Sequence, residues 1–286
     1  MNIGQLVDLY ISDGYDLADA IAKVSQDIIL LKISKSSLSH NVTIKGWVVM
    51  HNISKDKRRA TRDMDFDFIK YSLGDESIKN FIKKLNSVKD GINITINGKI
   101  EELHHQDYDG KRVYITLIDS NNYRIDTKLD IGVHKDFDIE QEEYCFDLDT
   151  INESATLLIN SKEQIFTEKL KSLLRFAYTS TRYKDIFDFY YLIKYGNLNR
   201  NKLEQYINKI IFSDDGVRVN NFKDIYRMLN SVFSNRRFVS NLNNVKVNWL
   251  DISSDEVINC ILEFIETFEW SLYKYRKSKE MKKWEH

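Results

Sequence analysis

The sequence predicts an α+β chain: a mixed sheet with flanking helices in the N-terminal half, followed by a C-terminal helical bundle. Three observations carry this reading. Strand-period stretches cluster between about residues 40 and 133, and helix-period apolar stripes dominate after about residue 155. The change of period near 150–160 sets the expected domains at 1–155 and 156–286. Proline is absent and glycine is sparse at 10 residues, so boundaries are read from changes of period and not from breaker residues.

In chain order, residues 5–35 read as helical, because Leu17, Ile21, Val24 and Ile28 recur at spacings of four, three and four. The run from Val42 to Met50 follows, with Gly46 where a strand or turn would approach a neighbour closely. Residues 62–70 alternate strictly, with Asp63, Asp65 and Asp67 on one side and Met64, Phe66 and Phe68 on the other. Helical spacing returns over 76–88 through Ile78, Phe81, Ile82 and Leu85. Strand patterns at Ile92–Ile100, Arg112–Ile118 and Tyr123–Val133 come next, the last two joined by Ser120-Asn121-Asn122 as a hairpin. Helices are expected at 163–178, 185–195, 201–212, 221–234 and 254–278, and no internal repeat is evident.

Composition sets outer bounds. A hydrophobic share of 42% and a charged share of 30% describe a globular chain, not a disordered one. The net charge of −1 neither demands nor excludes a nucleic-acid partner, so any basic surface must be local. Cys145 and Cys260 are far apart and lack metal-ligand spacing, which fits two unpaired thiols in a reducing compartment. The start, Met1-Asn2-Ile3-Gly4 with Asp8, Asp13 and Asp16 soon after, does not read as a signal peptide, and no apolar run approaches the roughly 20 residues that span a bilayer. A cytoplasmic protein without a membrane partner is expected.

The acidic strand carries the chemistry. Asp63 and Asp65, two apart on a strand, project from one face with Cα atoms roughly 6.5 to 7 Å apart. Such a pair can converge on Mg²⁺ or Mn²⁺, which neutralise triphosphate charge in phosphoryl and nucleotidyl transfer. A solvated acidic stripe on an edge strand is the competing reading. Three aspartates in a row repel one another, however, and such a face calls for cations or basic partners. On the later strand Arg124, Asp126, Lys128 and Asp130 share a face; if it pairs beside the first, Asp130 or Asp126 can complete a carboxylate triad, and otherwise the face is mixed-charge and self-satisfied.

Together, Lys45-Gly46, the segment Thr61-Arg62-Asp63-Met64-Asp65-Phe66 about 17 residues on, and the strand Leu129-Asp130-Ile131-Gly132 resemble the polymerase-β-type nucleotidyltransferases. The segments from Gln164 to Leu170 and from Arg182 to Leu192 narrow the likeness. In this order the set is similar to the AbiEii/AbiGii toxin family of type IV toxin–antitoxin and abortive-infection systems. The resemblance covers about residues 40–195 and implies a nucleotidyltransferase-like N-terminal fold. It also implies transfer of a nucleotide from NTP to an RNA (tRNA) or protein acceptor, with Mg²⁺ or Mn²⁺ as cofactor and a cognate antitoxin as partner. It implies Asp63 and Asp65 as metal ligands, Asp130 as a third acid and metal ligand, and Gly46 at the nucleotide. It further implies Lys169 on nucleotide phosphate and Asp185 as the acid of the last motif. Read from the residues alone, Lys169 is a lysine at the edge of a buried helix face, and Asp185 an acid favoured by the start of a helix.

One departure stands out. The family pattern has a second glycine and a small hydroxyl residue after its strand, whereas Gly46 is followed here by Trp47-Val48-Val49. That keeps open a second function: a catalytically weak or inactive module that binds NTP or RNA. Trp47 can stack on a base or sit in the core. His104-His105, with Asp107 and Asp109, reads as a polar loop or a metal site. The basic stretch 274–284 reads as a solvated helix end or an RNA grip. Lys55, Lys57, Arg58, Arg59 and Arg62 can meet substrate phosphate or offset carboxylates.

Overall fold

A computed structural model describes residues 1–103, 110–134 and 138–283, leaving out the side chains of Trp47 and of 269–283. The chain is α+β and divides into two compact units, Met1–Ser161 and Lys162–His286.

The first unit opens with two helices where the periodicity suggested one: α1 (Ile3–Ser12) and α2 (Leu17–Ser34). Gly14, at φ +95°, turns the chain, and the Asp16 side chain caps α2 by accepting from the Asp19 N–H. The Tyr10 hydroxyl of α1 donates to Asp27 of α2, which also pairs with Lys23 at 2.6 Å. Burial nevertheless holds the Asp27 carboxyl above its ordinary value.

The sheet orders its strands β3 (Ile92–Ile96), β5 (Lys111–Asp119), β6 (Arg124–Val133), β2 (Met64–Phe68), β1 (Val42–Ile44), β8 (Glu153–Ile159) and β7 (Glu142–Leu148). A two-residue strand, β4 (Glu101–Glu102), pairs with β5. The β5–β6 hairpin turns at 120–123, where Asp119 accepts from the backbone N–H groups of Asn121 and Tyr123. The sheet is mixed because β2 runs parallel to β6 and β1 parallel to β8, while the remaining pairings are antiparallel.

The alternation in β2 behaves as the period requires. Met64, Phe66 and Phe68 are buried, and Phe66 and Phe68 pack at a tilt against Phe81 of α4 (Asp75–Asn86), with ring centroids 5.5 and 5.1 Å away. The opposite face is left to the aspartates. Two features of this unit escape the periodicity. Val48-Val49-Met50 belongs to a helix, α3 (Gly46–Ser54), and β7 and β8 lie where no strand was read.

The second unit is helical: α5 (Lys162–Phe176), α6 (Lys184–Tyr195), α7 (Arg200–Ile207) running into a π turn at Asn208–Phe212, α8 (Phe222–Phe233), α9 (Arg236–Leu242) and α10 (Ser254–Lys283). Its core is aromatic, with Phe166 against Phe189 at 4.9 Å and Phe222 stacked on Phe268 at 4.8 Å. Among the described residues no helix is long and apolar enough to cross a membrane.

Candidate active site

Strand register assembles the acidic face. Parallel pairing of β2 with β6 sets Asp65 beside Asp130, and antiparallel pairing of β6 with β5 sets Asp130 beside Arg112. One row across three strands therefore reads Arg112, Asp130, Asp65. Asp126 lies beyond the stretch of β6 that pairs with β2; it faces Thr116 of β5 and accepts from Asn97 at 3.3 Å. The third acid of the face is thus Asp130.

Asp130, Asp63 and Asp67 of this face each come with a cation. The Arg112 guanidinium donates to both Asp130 oxygens at 2.7 Å, a two-pronged pair on a carboxylate only 5% exposed. The Asp130 hydrogen bonds raise the Arg112 guanidinium above its ordinary value even though burial opposes the shift. Lys128 pairs with Asp63 at 2.8 Å in a more open setting, the Asp63 side chain being half exposed. Lys45 reaches buried Asp67 at 2.9 Å. The repulsion expected among Asp63, Asp65 and Asp67 is offset at Asp63 by Lys128 and at Asp67 by Lys45, while Arg112 neutralises Asp130 on the neighbouring strand. Four cations of the basic run before β2 pair elsewhere: Lys55 with Asp147, Lys57 with Asp13, Arg58 with Asp56, and Arg62 with Asp16 and Asp19.

Beside Asp65 the chain leaves β1 and enters α3. The Lys45 N–H donates to the Asp65 carbonyl at 3.1 Å, and Gly46 follows at φ +57°, a left-handed value suited to glycine. A Cβ at Gly46 would stand 3.6 Å from Asp65 Oδ2. No side chain caps the start of α3, so its first N–H groups and the positive end of its dipole are presented next to the acidic row. Farther along α3, His51 is buried between the Asp56 carbonyl at 3.1 Å and the Tyr15 hydroxyl at 3.4 Å. Burial pushes its imidazole down to about 4, aided by the Lys23 ammonium.

The remaining candidates lie in the helical unit. Lys169 of α5 pairs with Asp185 of α6 and, at 3.0 Å, with Asp188, all three buried. The structure brings Lys169 and Asp185 together, and Asp188, one helical turn on, joins them.

The carboxylate donors suit a hard cation such as Mg²⁺, and the shared row sets Asp65 next to Asp130. Among the described residues, though, no group of three or more His, Cys, Asp or Glu side chains gathers as a metal site. Asp63 and Asp130 would ligate only by turning from, or sharing, Lys128 and Arg112. Sequence reading missed Arg112 and Lys45 as partners of the acids; the tight turn at 120–123 was the signal, because it fixes Arg112 opposite Asp130. Trp47's side chain, the His104-His105 loop and the side chains of the basic stretch 274–284 lie outside the described residues.

The family model described as "Nucleotidyl transferase AbiEii toxin, Type IV TA system" matches residues 28–252. The chain belongs to that family and is a nucleotidyltransferase. A crystal structure of an antigenic nucleotidyltransferase-like protein from Paracoccidioides brasiliensis is similar at 14% identity and a TM-score of 0.39, with 82% of this chain and 95% of that one covered. No curated protein matches the chain.

Proposed function

We propose that this chain transfers a nucleotidyl group from an NTP to an RNA acceptor, tRNA foremost, as the toxin of a type IV toxin–antitoxin pair. The observation that carries the proposal is the acidic row ending beside Gly46, where an uncapped helix start meets Asp65. In this reading Asp63 and Asp65 hold Mg²⁺ or Mn²⁺, with Asp130 as the third carboxylate. The cation, when bound, neutralises phosphate charge and aligns the attacking and leaving oxygens. The N–H groups opening α3 bind phosphate, and Gly46 allows close approach. Arg112 orients Asp130, while Lys128 and Lys45 balance charge. For Lys169 and Asp185 the roles implied by the resemblance remain proposals, which their burial in a mutual ion pair does not itself support.

Incubation with labelled NTPs and total tRNA tests the reading. Label should enter RNA in a Mg²⁺-dependent manner and disappear with Asp63→Ala plus Asp65→Ala; growth arrest on expression that persists unchanged in that variant would sink the catalytic toxin role. The glycine motif favours a second reading, since Gly46 is followed by Trp47 where the family pattern has a second glycine and a hydroxyl residue. On that reading the protein binds NTP or RNA without turnover, and nucleotide binding with no labelled product would support it.

A further inference from the structure

Charge is divided unevenly along the chain. Residues 1–161 hold 20 Lys and Arg against 27 Asp and Glu, a net of −7; residues 162–286 hold 22 against 16, a net of +6. Part of the basic excess concentrates in residues 218–246. There Arg218, Lys223, Arg227, Arg236, Arg237 and Lys246 face a single acid, Asp224. All six cations are exposed. Asp224 lies 3.8 Å from Arg227 and also accepts from the Asn221 amide. Among the described residues no ion pair engages Arg218, Lys223, Arg236, Arg237 or Lys246. Other cations of this unit are matched, Lys171 and Arg175 with Asp214 and Lys169 with Asp185 and Asp188.

The placement of these charges is adverse for the fold alone. Arg236 and Arg237 are the first two residues of α9, and Lys223 is the second residue of α8, positions where the helix dipole favours anions. α8 turns Phe222, Ile225, Leu229, Val232 and Phe233 inward, leaving Lys223, Arg227 and Asn230 on its outer face about a turn apart. By helical rise Lys223 and Arg227 stand roughly 6 Å apart along α8, and after Ser234-Asn235 the short α9 opens on Arg236 and Arg237, both exposed. Asn243 and Asn244 are exposed near its end and add amides that both donate and accept.

A protein interface would centre on aromatic or aliphatic anchors, and a membrane-binding helix would keep an apolar outer face. Val245 is the sole large exposed hydrophobe here among the described residues. A polymer of phosphates matches what is present: unpaired, spaced cations interleaved with amides. We infer that α8 and α9 form a docking surface for the phosphate backbone of RNA, engaged through Lys223, Arg227, Arg236 and Arg237, with Lys246 at its edge. The inference deepens the acceptor reading above, and its test reads binding alone so that failure of docking and failure of transfer are separable.

The full chain carrying Asp63→Ala and Asp65→Ala, in which transfer is expected to be lost, is titrated with unfractionated tRNA between about 50 and 200 mM salt. Affinity should fall steeply with salt. Changing Lys223, Arg227, Arg236 and Arg237 together to Gln should weaken binding at least tenfold. The log–log salt slope should also flatten by about 0.7 to 0.9 for each phosphate no longer neutralised. A second variant guards against misfolding: Arg236→Glu with Arg237→Glu suits the start of α9, so it should melt no lower than the parent while binding tRNA more weakly. No tRNA binding by the parent, or unchanged affinity in either variant, overturns the inference. So does binding to phosphatidylserine vesicles in preference to tRNA. Tight, salt-sensitive tRNA binding that the four-Gln variant weakens, beside an unmutated chain that never transfers label, upholds the surface and overturns only the catalytic reading.

Discussion

The acidic row on the sheet of the first unit and the ion cluster inside the helical unit are built from the same residue types, yet water treats them differently. Asp63 and Lys128 sit half and one-third exposed, and although Asp130 is buried its partner Arg112 is one-quarter exposed. Lys169, Asp185 and Asp188 are all at least nine-tenths buried. A carboxylate near water can exchange one cationic partner for another at modest cost. A carboxylate sealed in the interior cannot, because an unpaired buried charge is expensive. Exchangeable partners are what a centre that binds and releases metal and phosphate needs, and fixed ones hold helices together.

The largest break in this comparison should come from Lys169→Met, which takes a buried cationic partner from both Asp185 and Asp188. Loss of a partner in a buried ion cluster costs about 3–5 kcal/mol, so denaturant unfolding should show a large drop in stability before any assay of activity. A stable Lys169→Met protein that has lost only nucleotide binding would move Lys169 from the structural class to the phosphate class.

The helix that carries Gly46 has its own weak point in His51. Its imidazole titrates near 6.5 when unfolded and is pushed down to about 4 by burial, so the native state keeps it neutral. A depressed pKa makes the contribution complete above about pH 6.5 and progressively lost as pH falls towards 4, up to about 3 kcal/mol. Unfolding free energy measured across that window should fall for the parent and lose that component of the fall in His51→Gln.

Arg112→Met removes two charged hydrogen bonds from the buried Asp130 carboxylate, an expected loss of about 2–3 kcal/mol in thermal or denaturant unfolding, smaller than for Lys169→Met because Arg112 is itself part-exposed and water can replace it. Adding Mg²⁺ should recover part of that loss if Asp130 is a metal ligand. At the foot of the scale, Lys128→Gln breaks an open pair with half-exposed Asp63 and should change stability by no more than about 1 kcal/mol. A penalty for Lys128→Gln as large as that for Lys169→Met would erase the contrast between the two regions.

How much of this was legible in sequence follows from the same physics. The β2 alternation was plain because one face meets Phe81 and the other carries aspartates. Asp130 was reachable once strand pairing was supposed, and the register now sets it beside Asp65. β7 and β8 were not read. In β7 only Phe146 and Leu148 are buried, too little for a period, while in β8 the inward Ala155, Leu157 and Ile159 are blurred by Leu158 on the other face. Val48-Val49-Met50 looked like strand because β-branched residues favour strands. The left-handed turn at Gly46, which periodicity does not report, commits them to α3 instead. Lys169 and Asp185 were found through family resemblance, since a lysine on a helix edge and an acid at a helix start have ordinary explanations.

The central claim is that Asp63 and Asp65 form a metal-binding centre for nucleotidyl transfer. The most direct measurement pairs Mn²⁺ binding, followed by the resonance of the free ion, with label transfer from NTP to tRNA in the parent and in Asp65→Asn. The account predicts that Asp65→Asn keeps its melting temperature while metal affinity and transfer both fall by more than about a hundredfold, since even outer-shell changes at metal sites cost 10–100-fold. Transfer at the parent's rate in Asp65→Asn, with Mn²⁺ still bound, would contradict it.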